Sequence, residues 1–140
     1  MKVLVTGAAG FIGYHVSKKL IGLGHSVFGI DSYNDYYDPE LKKARAAELP
    51  IDVEYVDLCQ PWRLDIAFAV HKPDAVIHLA AYAGVRSSLE DPQLYIQNNI
   101  ISRNFSNNRR SSHRIIFRIR FRYAFILNIM PIRKKCTINN

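Results

Sequence analysis

Thr6-Gly7-Ala8-Ala9-Gly10-Phe11-Ile12-Gly13 sets three glycines at three-residue spacing directly after the apolar run Val3-Leu4-Val5. A short run rich in β-branched residues, then residues that accept conformations a Cβ resists, reads as a buried strand, a tight turn and the opening of a helix. Phosphate oxygens suit such a junction, because first-turn N–H groups lack intrahelical partners and the helix dipole is positive there. A nucleotide cofactor held by its pyrophosphate is therefore the first function this stretch suggests.

The chain beyond the turn repeats one pattern. Ile12, Val16, Leu20 and Leu23 fall at helical spacing and predict an apolar face, closed by Gly22 and Gly24. Ser26–Ile30 is a second strand, and Asp31 stands at its C-terminal end, 18 residues beyond Gly13. A carboxylate there can accept hydrogen bonds from both ribose hydroxyls of an adenosine and repels a 2′-phosphate, which favours NAD over NADP. Ser32–Pro39 is polar and tyrosine-rich and reads as a loop. Pro39 opens a helix to about Leu49 with Lys42, Lys43 and Arg45 on its wet side.

Ile51–Val56 predicts a third strand ending at Asp57-Leu58, and Pro61 opens a helix whose apolar face is expected to be Trp62, Ile66, Ala69 and Val70. Ala75–Leu79 predicts a fourth strand, followed by Ala80 and Ala81, small enough to let a flat cofactor lie against the backbone. A loop over Tyr82–Ser88 then leads through Asp91-Pro92 into a helix to about Ile101. Alternating strands and helices predict an α/β fold, a Rossmann-like parallel sheet with crossover helices.

Charge divides the chain at that point. The net charge of +7 would suggest nucleic acid if it were spread evenly, but residues 1–101 hold 9 basic and 12 acidic side chains, while residues 102–140 hold 10 basic and none acidic. Residues 1–101 thus form one portion and residues 102–140 a basic tail. Ser102–Ser112 carries no helical stripe, Arg114–Tyr123 alternates basic and apolar residues as a strand can, and a mostly apolar run follows over Ala124–Met130. No apolar run approaches the roughly 18 to 20 residues of a membrane-spanning helix, and the start does not read as a secretory signal, so a cytoplasmic chain is expected. Cys59 and Cys136 have no metal-ligand spacing and read as free thiols; no metal is expected.

Thr6-Gly7-x-x-Gly10-x-x-Gly13, Asp31, Asp57-Leu58 and His78-Leu79-Ala80-Ala81, in this order and spacing, resemble the extended short-chain dehydrogenase/reductase family and, within it, the NAD-dependent nucleotide-sugar epimerases. Asp31-Ser32-Tyr33-Asn34-Asp35-Tyr36-Tyr37-Asp38-Pro39-x-Leu41-Lys42 and Ala83-Gly84-Val85-Arg86 are most similar to the UDP-glucuronate 4-epimerases. The resemblance covers residues 1 to about 101. It implies that Gly7, Gly10, Phe11, Ile12 and Gly13 contact the pyrophosphate of NAD and that Asp31 holds the ribose. It implies further that Asp57 and Leu58 flank the adenine, Leu79, Ala80 and Ala81 line the cleft, and Asn99 reaches it from the following helix. Arg86 is the candidate for touching an anionic UDP-sugar.

The same resemblance implies a tyrosine with a lysine four residues later as the catalytic pair, after a fifth strand. One match exists, Tyr14 and Lys18, and it sits on the first helix, where it reads as a surface coincidence. The catalytic pair is thus expected to be absent, and the sheet to lack a regular fifth strand. The chain reads as the N-terminal, cofactor-binding part of an epimerase, inactive alone, its tail beyond Ser102 explained by a shifted reading frame. The family's homodimers, built from helix bundles, are not expected of helices held only in part. Two other readings stand beside this one: a non-catalytic NAD-binding module, and an interaction protein whose basic tail meets nucleic acid or an anionic membrane, although no recognisable nucleic-acid motif is present.

Overall fold

The computed structural model of the protein describes residues 1–99 and 114–118. Their elements alternate as expected: β1 (Lys2–Thr6), α1 (Phe11–Gly22), β2 (Ser26–Asp31), α2 (Pro39–Ala47), β3 (Val53–Tyr55), α3 (Pro61–His71), β4 (Ala75–His78), α4 (Val85–Glu90), α5 (Pro92–Asn99) and β5 (Arg114–Arg118). The five strands form one sheet in the order β3-β2-β1-β4-β5, and every pairing is parallel. The α/β, Rossmann-like reading is correct.

Period-two alternation sorts the core into two layers. Leu4, Ile30 and Val76 point to one side of the sheet and pack with Val56 and Leu64, joined by Phe28, Leu58 and Phe68. Val3, Val5 and Val27 point to the other side with Ala8, against Leu20 and Ile21 of α1 and Ile51, Val53, Ile77 and Leu79. Helices therefore cover both faces, as parallel sheets require. The chain runs from β1 outward to β2 and β3, then returns to β4 on the far side of β1. That reversal opens a crevice at the C-terminal ends of β1 and β4, the place where open α/β sheets bind ligands.

Several local expectations are corrected. On α1 the buried residues are Gly13, Tyr14 and Ser17, whereas Ile12 and Leu23 are exposed. Gly13 is buried there because the helix starts so close to the turn before it that a Cβ would overlap the Gly7 carbonyl, and Tyr14 is buried because its hydroxyl reaches Glu48 at the end of α2. On α3 the buried residues are Leu64 and Ala67, while Trp62, Ile66 and Val70 are more than half exposed. Apolar residues surround this helix, so periodicity alone leaves its orientation ambiguous, and Leu64 is the one that meets Leu4 and Val76. Lys42 is also not on a wet face: it is 6% exposed. The loop expected over Tyr82–Ser88 is helical from Val85 onward.

Arg114–Arg118 forms a fifth parallel strand beside β4, where no regular one was expected. Its register slips between Val76 and Ile77, which pair with Ile115 and Phe117. Such a bulge inserts one residue and bends the strand. The remaining tail, including the Ala124–Met130 run, lies outside the described residues.

The orientation of α3 predicts opposite outcomes for two neighbouring positions. Leu64→Ala should lower unfolding free energy by about 2 to 3 kcal/mol, and Ile66→Ser by no more than about 0.5 kcal/mol. Urea unfolding followed by circular dichroism reads both, and the reverse order would restore the helical face first expected.

Candidate functional site

The glycine turn is built by close approach. Gly7 has φ +70°, and a Cβ on it would lie 2.8 Å from the Ala80 nitrogen. A Cβ on Gly13 would lie 2.0 Å from the Gly7 carbonyl oxygen. The first helix is therefore pressed onto the turn that precedes it, and the turn onto the end of β4. The Gly7 and Ala8 amides donate to the Ile30 carbonyl at 2.8 and 3.2 Å, joining the turn to β2.

Thr6 fastens the β4 side. Its hydroxyl oxygen accepts from the Leu79 and Ala80 amides, both at 3.2 Å, and lies 2.8 Å from His78 Nδ1. With both lone pairs engaged, the hydroxyl donates its proton to Nδ1, which assigns the His78 proton to Nε2. This histidine thereby fixes the hydroxyl that holds the end of β4.

Asp31, 8% exposed, closes the β2 side. Its Oδ2 accepts from the Ala9 amide at 3.1 Å and its Oδ1 from the Tyr33 amide at 2.9 Å. One carboxylate thus ties the glycine turn to the loop after β2. Asp57 does related work after β3, its Oδ1 accepting from the Cys59 amide at 2.8 Å. Asp57, through its charge, also raises the Cys59 thiol above its ordinary pKa, second to the effect of burial.

These ends surround a cleft of about 460 Å³, within the usual range for a small-molecule site. Gly7, Gly10, Phe11, Ile12, Gly13, Asp31, Asp57, Leu58, Leu79, Ala80 and Ala81 all line it. The α1 N-terminus has no side-chain cap and no acidic residue in its first turn. Its opening amides, at residues in the lining, therefore form an electropositive end to the cleft.

Two expected residues lie elsewhere. Asn99 is absent from the lining and instead clamps the Tyr82 peptide, accepting from its amide at 2.9 Å and donating to its carbonyl at 3.0 Å, while Asn98 takes the place in the cleft. A helix turns about 100° per residue, so one position decides which of two asparagines reaches the cavity. Arg86 is also outside it: its side chain is 95% exposed, with Nε 3.7 Å from Glu90 Oε1. Tyr14 and Lys18 are not a surface coincidence, since Tyr14 is 7% exposed. The Tyr14 hydroxyl donates to the Glu48 carboxylate and accepts from Lys18 Nζ at 3.0 Å, a link between α1 and the end of α2 outside the cleft. That hydrogen bond raises the Lys18 pKa.

Sequence reasoning missed the other wall. Ser32, Asn34, Tyr36, Tyr37, Leu41, Lys42, Arg45, Tyr82 and Ala83 also line the cleft. Helical spacing held the signal, because Leu41, Lys42 and Arg45 fall on adjoining positions of one α2 face. The tyrosines pack on one another: Tyr36 stands edge-on to Tyr37 and Tyr82, with ring centroids 4.9 and 5.3 Å apart. The Tyr95 hydroxyl donates to the Ala83 carbonyl at 3.0 Å. Tyr36 is raised above the ordinary phenol range by its bond with Tyr95, and Tyr82 by burial. Both shifts disfavour the tyrosinate form, and both rings stand in the wall of the cleft. Among the described residues, no group of three or more His, Cys, Asp or Glu is placed to hold a metal, and no helix is long and apolar enough to cross a membrane.

Comparison with known proteins matches residues 3–104 to the NAD dependent epimerase/dehydratase family. The chain is 46% identical over 104 residues to Protein CapI of Staphylococcus aureus, covering 72% of this chain and 31% of that protein. It is 48% identical over 101 residues to UDP-glucuronate 4-epimerase 3 of Arabidopsis thaliana, covering 70% and 24%. Among solved structures it is similar to a UDP-glucuronic acid 4-epimerase mutant of Bacillus cereus bound to NAD and a fluorinated UDP-sugar (TM-score 0.65, 36% identity, 73% of this chain and 33% of that one). It is likewise similar to the UDP-glucose 4-epimerase of Thermus thermophilus with NAD (TM-score 0.63, 35% identity, 73% and 31%). The chain thus spans about a third or less of the length of these relatives.

Close approach at Gly13 yields a direct test. Gly13→Ala should lower unfolding free energy by about 3 kcal/mol or more, because a backbone carbonyl must move to admit the methyl group. Gly22→Ala, where nothing lies within 4 Å, should be neutral or stabilising by up to about 1 kcal/mol. Equal midpoints for the two variants in urea would contradict the tight turn.

Proposed function

Because the chain belongs to the NAD dependent epimerase/dehydratase family, we propose that it is the cofactor-binding portion of a nucleotide-sugar epimerase of the UDP-glucuronate 4-epimerase kind. NAD occupies the cleft at the C-terminal ends of β1, β2, β3 and β4. The observation that carries this reading is the coincidence of the expected cofactor residues, all but Asn99, on one cavity.

The residues present fit the group. Gly7 and Gly13 let the turn pack backbone to backbone on the end of β4 and on the start of α1, which brings the amides of Phe11, Ile12 and Gly13, the opening of an uncapped helix, to the cleft, an arrangement suited to a pyrophosphate. Asp31 is held by two amides with its carboxylate in the lining, placed to accept from ribose hydroxyls. Asp57 and Leu58 bound the adenine end, and Leu79, Ala80 and Ala81 give a flat wall toward the nicotinamide. NAD, when bound, supplies a hydride acceptor. The protein's own part is to bind, orient and shield it.

Turnover needs a proton acceptor within reach of a sugar hydroxyl. Tyr14 is committed to Glu48 and Lys18 away from the cleft, and the surroundings of Tyr36 and Tyr82 raise their pKa values, which disfavours the tyrosinate. Among the described residues we therefore propose a part that binds cofactor and does not by itself epimerise a UDP-sugar. Residues 102–140, with their one-sided charge, are proposed as a portion foreign to the epimerase pattern, as a shift of reading frame near Ser102 would produce. Cys59 as a free thiol fits a cytoplasmic protein.

Thermal unfolding with and without NAD tests the reading. At a hundredfold excess over its Kd, NAD should add about 2.7 kcal/mol to the unfolding free energy. A soluble protein with an unchanged melting temperature at millimolar NAD would refute cofactor binding by this chain.

A further inference from the structure

Lys42 is buried to 6% exposure, lines the cleft, and has no carboxylate within 4.0 Å among the described residues. Its Nζ donates to the Asn34 carbonyl at 2.7 Å and to Asn34 Oδ1 at 2.5 Å. Two neutral oxygens satisfy two of three N–H donors and leave the charge unopposed. A buried cation is costly unless an anion faces it.

Four acids near α2 are engaged elsewhere. Glu40 pairs with Lys43 at 2.7 Å, Glu48 accepts from Tyr14, Asp38 accepts from the Glu40 amide, and Asp31 accepts from two backbone amides. One turn beyond Lys42, Arg45 also lines the cleft without a carboxylate partner among the described residues. Its guanidinium carbon lies 5.7 Å from the centre of the Phe11 ring, which places it beside the uncapped start of α1. Two cations and a helix N-terminus thus share one cavity.

We infer that Lys42 and Arg45 form a second phosphoryl-binding edge of the cleft, complementary to the glycine turn, with the phosphates of the dinucleotide as its ligand. This rests on the reading of the cleft as a dinucleotide site and adds residues to it that the glycine motif does not contain. The Asn34 oxygens hold the Lys42 ammonium in the cleft, and the Phe11 ring supports the Arg45 guanidinium, so both charges are fixed before the ligand arrives. A guanidinium can meet a phosphate through two parallel N–H bonds, whereas the ammonium acts as a point charge. The phosphoryl group addressed is either the pyrophosphate or, in NADP, the 2′-phosphate.

Calorimetric titration of the full chain and of Arg45→Gln with adenosine, ADP, NAD and NADP tests this. Arg45→Gln should bind ADP and NAD roughly tenfold more weakly while adenosine affinity stays within about twofold. If the 2′-phosphate is the group addressed, the loss falls on NADP alone. Lys42→Gln, provided it unfolds at a similar temperature, should repeat the pattern. Equal losses for adenosine and for the phosphorylated ligands would make the pair structural and overturn the inference. Unchanged affinity for every ligand would overturn it too, leaving the cofactor site intact. No binding of NAD or adenosine by the unsubstituted chain would refute the dinucleotide reading itself and the inference with it.

Discussion

The contact between Gly13 and the Gly7 carbonyl is the constraint on which the rest of the site depends. A side chain at Gly13 would overlap that oxygen, so α1 can begin where it does only with no Cβ in the way. Its position in turn sets the buried Tyr14 and Ser17 against the neighbouring structure and brings the opening amides of the helix to the cleft. Gly7 repeats the device toward β4, where its missing Cβ admits the Ala80 backbone. The strand order then matters, because only a reversal between β1 and β4 leaves space above this junction for a ligand.

A ring of backbone-directed polar contacts stabilises the same junction. Thr6 binds the amides after β4, Asp31 binds the turn after β1 and the loop after β2, and Asn99 binds both polar atoms of the Tyr82 peptide. Thr6 and Asp31 each join the ends of two strands, and Asn99 joins the end of α5 to the loop after β4. Together they fix the loops around the cleft without filling it, which is what an organised binding site requires.

Much of this was legible in the residues. The glycine spacing, Asp31 and the alternation of apolar runs carry the order of the elements from β1 to β4, because each follows from a local rule about turns, periods or strand ends. Orientation was less legible. On α3, Leu64 and Ile66 are equally apolar, and only contact with Leu4 and Val76 decides between them. Lys42 reads as a solvated lysine until Asn34 is seen to fold over it. Asn98 and Asn99 differ only by a rotation along the helix. Arg114–Arg118 was legible as a possible strand, but its pairing with β4 is a non-local event that its own sequence does not specify.

The central claim is that a dinucleotide occupies the switch-point cleft, and amide chemical-shift mapping of the isotopically labelled chain titrated with NAD tests it most directly. The account predicts that the largest shifts fall on Gly10, Phe11, Ile12, Gly13, Asp31, Leu58 and Ala80, with Arg45 among the perturbed residues. Trp62, Ile66 and Val70 on the outer face of α3 should stay unmoved. Shifts centred on α3, or none at saturating NAD, would contradict it.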